Sequence, residues 1–359
     1  RHPSPRQLTL PGENPREARP TVRGDLTVRH HARLPKLGST RDLTRVFWQD
    51  LPVDVDATAA IKRYVRRAHR KSIIEYRNRM SAWDRSRGIR PEVRGTDETL
   101  DRLIGQPVSF SRFGDGEFQL VFGASIYYQE RSLPLQAELK RILRSTRDDC
   151  LIGIPDVFGN NDRMRPMARD YWEGELRPFR HNYHRALDLK KTYYDSFASR
   201  IYKDLEDKAP ARRRFEQWQR VWEGKDLVII EGALSRLGVG NDLFSNARRV
   251  RRILGPAENA YSQYNELLAA ALACESSALF ILALGPTATV LSYALCENGR
   301  RALDLGHIDI EYEWFLRQEA DVAIRGKYTN EALGGRVVGE CEHPDYDAQI
   351  IADLSGRDL

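Results

Sequence analysis

The sequence predicts an α/β protein, a mainly parallel sheet with flanking helices, preceded by a basic extension. Two observations carry this reading. From about residue 98 short apolar runs alternate with amphipathic segments, the pattern of strands and helices in turn. The charge is also divided: residues 1–97 hold 22 Lys+Arg against 11 Asp+Glu, and residues 98–359 hold 35 against 40. The basic pI therefore belongs to the N-terminal quarter and is no ground for a nucleic-acid partner.

Taken in order, residues 1–50 contain six prolines, many arginines and little periodicity, and read as an irregular basic arm. Within 51–97, Ile61, Val65, Ala68, Ile73, Tyr76, Met80 and Trp83 recur at near-helical spacing, with Arg and Lys on the other faces. This helical extension reads as a helix packed on the main domain with a solvated basic face. An anionic membrane surface or a partner protein is the other use of that face. The main domain spans 98–335. Its candidate strands are 108–112, 151–154, 227–231, 250–254, 279–284 and 302–305, with helical patterns near 135–145, 162–174, 212–223, 261–275 and 287–298. Residues 336–359 form a tail.

Cys150, Cys274, Cys296 and Cys341 make no C-x-x-C pair, which suggests reduced thiols in a cytoplasmic protein, at most peripheral at the inner face of a membrane. No signal peptide is visible, and the chain starts at Arg1, so a segment can precede it. From Ser276 to Cys296 there are 21 uncharged residues, roughly a membrane-spanning length. Gly285-Pro286 divides them into a β-rich half and a helix-like half, so a buried strand–turn–helix explains them better.

Four stretches hold candidate chemistry. "VSFSRF" feeds "GDGE", which places Asp115 and Glu117 at a strand's C-terminal end. In extended chain they point to one side, about 6–7 Å apart, and can share Mn²⁺ or Mg²⁺. By itself an acidic, solvated turn is the better account of them, because such tripeptides are common. In "DLVIIEGALSRLGVGNDLF" a strand precedes a loop with Gly232, Arg236, Gly238, Gly240, Asn241 and Asp242. Leu243 stands where a third glycine belongs, so this is no dinucleotide fingerprint, although the loop suits a phosphorylated ligand. Gly285-Pro286-Thr287 sits between strand and helix, where free N–H groups can hold an anion. In "LGHIDIEYEWF", His307, Asp309, Glu311 and Glu313 fall at every second position. If extended, one face would offer ligands and a general base. Walker A, G-x-S-x-G, H-E-x-x-H and zinc-type Cys/His spacings are absent.

Together "SRFGDGE", "EGALSRLGVGNDLF", "RRILGPAENAY", "LGPTATVLSYAL" and "LGHIDIEYEWF", in this order, resemble the GT-D-type glycosyltransferases. This family, formerly the domain of unknown function DUF1792, occurs in bacterial glycoprotein and surface-polysaccharide glycosylation. The likeness runs from about residue 98 to "GKYTNE" at 326–331 and leaves residues 1–97 outside the common core. It implies a Rossmann-like domain that binds a UDP-sugar, with a D-x-E motif, here Asp115 and Glu117, holding a divalent metal against the diphosphate. It also implies transfer of a hexose, glucose in the best-known case, to a glycan or glycoprotein acceptor, with inversion favoured. The base is then expected at Glu313 ahead of Glu311 and His307, and Arg112 or Arg236 assists the leaving charge. Gly232, the Gly238/Gly240 loop with Asn241 and Asp242, and the Gly285–Thr287 turn become candidate uridine and phosphate contacts.

Two other readings use the same residues. A metal-dependent phosphoesterase or nucleotidyl transferase also needs paired acids and a diphosphate cradle. A non-catalytic scaffold would act through the basic arm, and Asp115, Glu117, His307 and Glu313 argue against it.

Overall fold

The structure is a computed structural model and describes residues 55–341 and 343–356. The chain divides into two compact units, Arg1–Tyr64 and Val65–Leu359. Of the first, only the opening of helix α1 (Val55–Ser86) is described, and the arm expected at 1–50 lies outside the described residues.

The second unit continues with β1 (Glu92–Arg94), α2 (Thr96–Gly105), β2 (Ser109–Arg112), α3 (Asp115–Val121), α4 (Leu133–Leu143) and β3 (Cys150–Ile154). Then come α5 (Pro166–Ala186), β4 (Thr192–Asp195), α6 (Ala211–Trp222), β5 (Asp226–Gly232), β6 (Arg249–Gly255) and α7 (Tyr264–Leu272). The last elements are β7 (Leu279–Ala283), α8 (Pro286–Glu297), β8 (Arg301–Asp304), α9 (Ile308–Arg317), α10 (Tyr346–Gln349) and β9 (Ile350–Asp353).

Among the described residues nine strands join one sheet in the order β1-β4-β3-β2-β8-β7-β5-β6-β9, and every pair is parallel. Parallel sheets are covered on both faces, so their central strands are apolar without alternation. β5 shows why. Leu227 and Ile229 enter the core formed with α2, α6 and α9, while Val228 and Ile230 enter the core formed with α7 and α8. α8 is buried from Pro286 to Cys296, so its uncharged sequence reflects a helix enclosed by protein. Among the described residues no helix is long and apolar enough to cross a membrane.

One charged pair lies in this interior. Glu231 on β5 and Arg252 on β6 are 0% and 3% exposed, with Arg252 Nη1 2.5 Å from Glu231 Oε1. The second carboxylate oxygen accepts the Leu237 backbone N–H at 2.7 Å, so the pair also anchors the loop after β5.

The domain boundaries at 97/98 and 335/336 do not match the sheet. β1 pairs with β4 and β9 with β6, so both flanks contribute strands to it. These strands are only three and four residues long at the sheet's two edges, too short to announce themselves in the sequence.

The segment from His307 also departs from its extended reading. It forms α9, and Ile308–Trp314 are all buried. Asp309 and Glu311 sit in its first turn, where the helix dipole favours carboxylates. A helix enclosed on every side shows no amphipathic stripe, and its alternating residues mimic a strand.

Candidate active site

A cleft of about 700 Å³ opens at the carboxyl ends of the central strands. Such a volume holds a nucleotide-sized ligand, and the carboxyl ends of a parallel sheet are where ligands of open α/β folds bind. Arg112 at the end of β2, Gly232 at the end of β5, and Gly306 and His307 after β8 all line it.

Asp115 and Glu117 both line the cleft, but not as an extended pair. They occupy the first turn of α3, and Glu117 Oε2 turns back to accept the Gly114 N–H at 2.5 Å, capping the helix. Asp115 Oδ2 accepts the Tyr171 hydroxyl at 2.6 Å. Burial pushes Glu117 up to about 7 over the opposing pull of Arg112. Arg112 Nε lies 3.9 Å from Asp304 Oδ1, and burial raises Asp304 to about 6. Gly306, at φ +51°, makes this packing feasible, since a Cβ there would meet Arg112 Nη2 at 2.1 Å.

Gly285 lines the cleft at the N-terminus of α8, with φ +53° and the Tyr128 ring where a Cβ would be, 2.8 Å away. Thr287 does not reach the cleft. It is fully buried, and its hydroxyl faces Gln129 Oε1 at 3.4 Å.

The loop after β5 is used differently from its reading as a phosphate cradle. Gly232 lines the cleft, whereas Arg236, Gly238, Gly240, Asn241 and Asp242 do not. Arg236 is buried away from the cleft, and its Nη1 donates to the carbonyls of Gly326 and Gly339 at 2.9 and 2.8 Å. Gly238 has φ +70°, and a Cβ would stand 2.4 Å from the Phe244 ring. Asn241 Nδ2 donates to Asp309 Oδ1 and Glu313 Oε1, each at 2.7 Å, and Asp242 accepts the Tyr312 hydroxyl at 2.7 Å. These residues brace α9.

Of the three candidate bases, only His307 lines the cleft. Glu311 is fully buried on another face of α9 and accepts the backbone N–H groups of Tyr202 and Lys203 at 2.8 Å each. Burial raises it to about 7. Glu313 accepts from Asn241 and Lys327, and its other oxygen from Arg317 at 3.3 Å. Despite its burial, the Lys327 charge and these bonds hold it below the usual carboxylate range. Desolvation lowers His307, with Arg200, Arg112 and Lys203 adding to the effect and Glu331 opposing it.

The cleft also holds groups that no motif announced. Glu331 Oε1 is 4.0 Å from His307 Nδ1 and receives a bidentate Arg200 at 2.6 and 2.7 Å. Lys203 Nζ reaches the same carboxylate at 3.1 Å. Although buried, Glu331 is held well below its ordinary value by Arg200, His307 and Lys203. Asp309 lines the cleft with its carboxylate committed to Lys327 Nζ at 2.7 Å. Arg200 and Glu331 stand in irregular segments 131 residues apart, so only the fold brings them together.

The model of the glycosyltransferase GT-D fold matches residues 110–332, well over half of the chain. The chain belongs to the GT-D family. Its GT-D region is similar to glycosyltransferase GlyD of Streptococcus pneumoniae serotype 4, 38% identical over 265 residues, covering 73% of this chain and 32% of that protein. It is equally similar to the probable glycosyl transferase Gly of Streptococcus gordonii, 38% identical over 267 residues, covering 73% of this chain and 39% of the other. The chain thus spans roughly a third of the length of these curated relatives. Among solved structures, a DUF1792 glycosyltransferase from Streptococcus sanguinis aligns with TM-score 0.71 and 39% identity, over 74% of this chain and all of the other. A second DUF1792 structure, described as having a distinct glycosyltransferase fold, aligns with TM-score 0.70 and 36% identity, over 79% and 99%. The sheet described above is the GT-D sheet.

Proposed function

We propose that this GT-D chain is a metal-dependent glycosyltransferase that moves a hexose, glucose by resemblance, from a UDP-sugar to a hydroxyl of a glycan or glycoprotein, with inversion. One observation carries the reading: the Asp115–Glu117 acids and the His307–Glu331 pair face the same cleft. Four free thiols and the lack of a spanning helix among the described residues agree with a cytoplasmic setting.

The donor set fits a hard divalent cation held jointly with a diphosphate. Mg²⁺ and Mn²⁺ commonly take one or two carboxylates, with phosphate oxygens and water filling the other positions. Asp115 and Glu117 are such a pair, and among the described residues no cluster of three His, Cys, Asp or Glu could hold a metal by itself. When bound, the cation would neutralise charge on the departing diphosphate.

The chain's own residues supply the rest. Gly232 and Gly285 line the cleft, where their backbone can meet the diphosphate. Arg112 contributes positive charge beside the acids. His307 replaces Glu313 as the base, since Glu313 is engaged outside the cleft. Neutral His307, with Nδ1 toward Glu331, takes the acceptor's hydroxyl proton at Nε2. The acceptor oxygen bonds to the anomeric carbon from the opposite side as the bond to the diphosphate breaks, and UDP leaves with the electron pair. UDP release measured across a panel of UDP-sugars with Mn²⁺ tests this, and one or two donors are expected to turn over. Silence across the panel would favour the phosphoesterase or nucleotidyl transferase reading.

A further inference from the structure

A second cleft, of about 360 Å³, lies between the C-terminal end of α1, α5 and the loop after β3. Arg85, Arg90 and Arg180 line it together with Phe158, Gly159 and Asn160, and no carboxylate does. Three guanidinium groups converging without a counter-charge repel one another, so this arrangement calls for an anion.

The three are not equivalent. Arg180 is only 5% exposed, with Nη1 donating to the Phe158 carbonyl at 3.0 Å and the guanidinium over the Phe158 ring. Its Nε is buried with no partner. Burial, and then the charge of Arg85, press Arg180 below the ordinary guanidinium range. The Arg85 and Arg90 side chains are exposed, and neither makes a hydrogen bond or ion pair with a described residue. Gly159 leaves room for Arg90, because a Cβ there would stand 3.1 Å from Arg90 Nη1. Asp84 is buried outside the lining, and its charge partly offsets the lowering of Arg180. Its Oδ2 accepts from His181 Nδ1 and His184 Nδ1, both at 3.0 Å, and it makes no hydrogen bond to the three arginine side chains.

We infer that this arginine cleft binds the phosphate group of a ligand other than the sugar donor. Guanidinium forks match phosphate oxygens two at a time, and a buried fork is already oriented. The cleft has room for a phosphate with a small substituent. The ligand is a phosphomonoester or diphosphate, carried either by a soluble sugar phosphate or by a lipid head group. The loop after β3 borders both clefts, with Pro155 on the donor side and Phe158–Asn160 on the arginine side. A phosphate seated here therefore lies one loop away from the donor.

The inference does not depend on the glycosyltransferase reading, and the test separates the two. Inorganic phosphate is titrated at constant ionic strength, without divalent cation, into the full chain and into an Arg85→Gln/Arg90→Gln variant. Neither side chain has a protein partner, so the variant should fold. The wild type is expected to show a saturable rise in melting temperature over chloride, and the variant a loss of affinity of about tenfold or more. UDP-sugar turnover should be the same in both. No saturable rise in the wild type, or an equal rise in the variant, overturns the inference. Flotation with phosphatidylcholine vesicles, with and without phosphatidic acid, then identifies the source. Binding that needs phosphatidic acid and is absent from the variant supports a lipid phosphate. Phosphate binding without such vesicle binding supports a soluble one.

Discussion

The loops after β2 and β5 look alike as sequence and serve opposite ends. Each follows a buried strand, mixes glycines with acids and has an arginine close by. The first sends Asp115, Glu117 and Arg112 into the cleft. The second commits Arg236 to two carbonyls, Asn241 to two carboxylates on α9, and Asp242 to a tyrosine hydroxyl. Composition marks both loops as unusual. Only the hydrogen-bond partners separate a loop that lines the cleft from one that holds a helix in place.

That contrast breaks most visibly at the anchor of the β5 loop. Arg252→Met leaves Glu231 buried without its partner and should cost ~3–5 kcal/mol of stability. Urea denaturation would read this, and an unchanged midpoint would show that the loop is not held as described. Asp115→Asn, in the other loop, should lower sugar transfer ~100-fold or more, about 2.7 kcal/mol of barrier, with the melting temperature unchanged. Full activity in that variant would remove the carboxylate from the mechanism. Gly238→Ala should destabilise by ~1–3 kcal/mol, since the new methyl meets the Phe244 ring at positive φ. UDP affinity of the folded protein should stay the same, and a selective loss would return this loop to the donor site. The gentlest effect is on pH dependence. A base must be neutral, and His307 is lowered from its ordinary value of 6.5. With saturating Mn²⁺ to keep Glu117, which burial raises to about 7, ionised, the rate should therefore be flat at and above pH 7 and fall only below about 6.5. A fall already between pH 8 and 7 would point to another base.

The sheet's centre was legible because burial on two faces writes itself as continuous apolar runs. All six candidate strands correspond to β2, β3, β5, β6, β7 and β8. One end of the sheet was not, since the edge strand Glu92–Arg94 and its neighbour Thr192–Asp195 are short, polar and completed by pairing alone. Of the residues singled out in sequence, Arg112, Asp115, Glu117, Gly232, Gly285 and His307 line the cleft. The misreadings share a cause. Residues 309 and 313 are two alternations apart in a strand and about one turn apart in a helix, so the spacing fits both. Charge on Arg236, Glu311 and Glu313 revealed polar work, but not that backbone and neighbouring side chains already supply their partners. Arg200 carried no signal, and Glu331, the last residue of "GKYTNE", was not marked as a site residue, because their meaning is a contact between distant segments.

The account rests on Asp115 and Glu117 meeting a diphosphate together with a cation. Thermal unfolding with UDP, with and without Mn²⁺, in the wild type and Asp115→Asn tests this most directly. A ligand at about 100 times its Kd stabilises a fold by ~2.7 kcal/mol, well within reach of such a scan. The account predicts a larger UDP-dependent shift with Mn²⁺ than without it in the wild type, and no such increment in Asp115→Asn. Equal shifts with and without Mn²⁺, or an increment that survives the substitution, would contradict it.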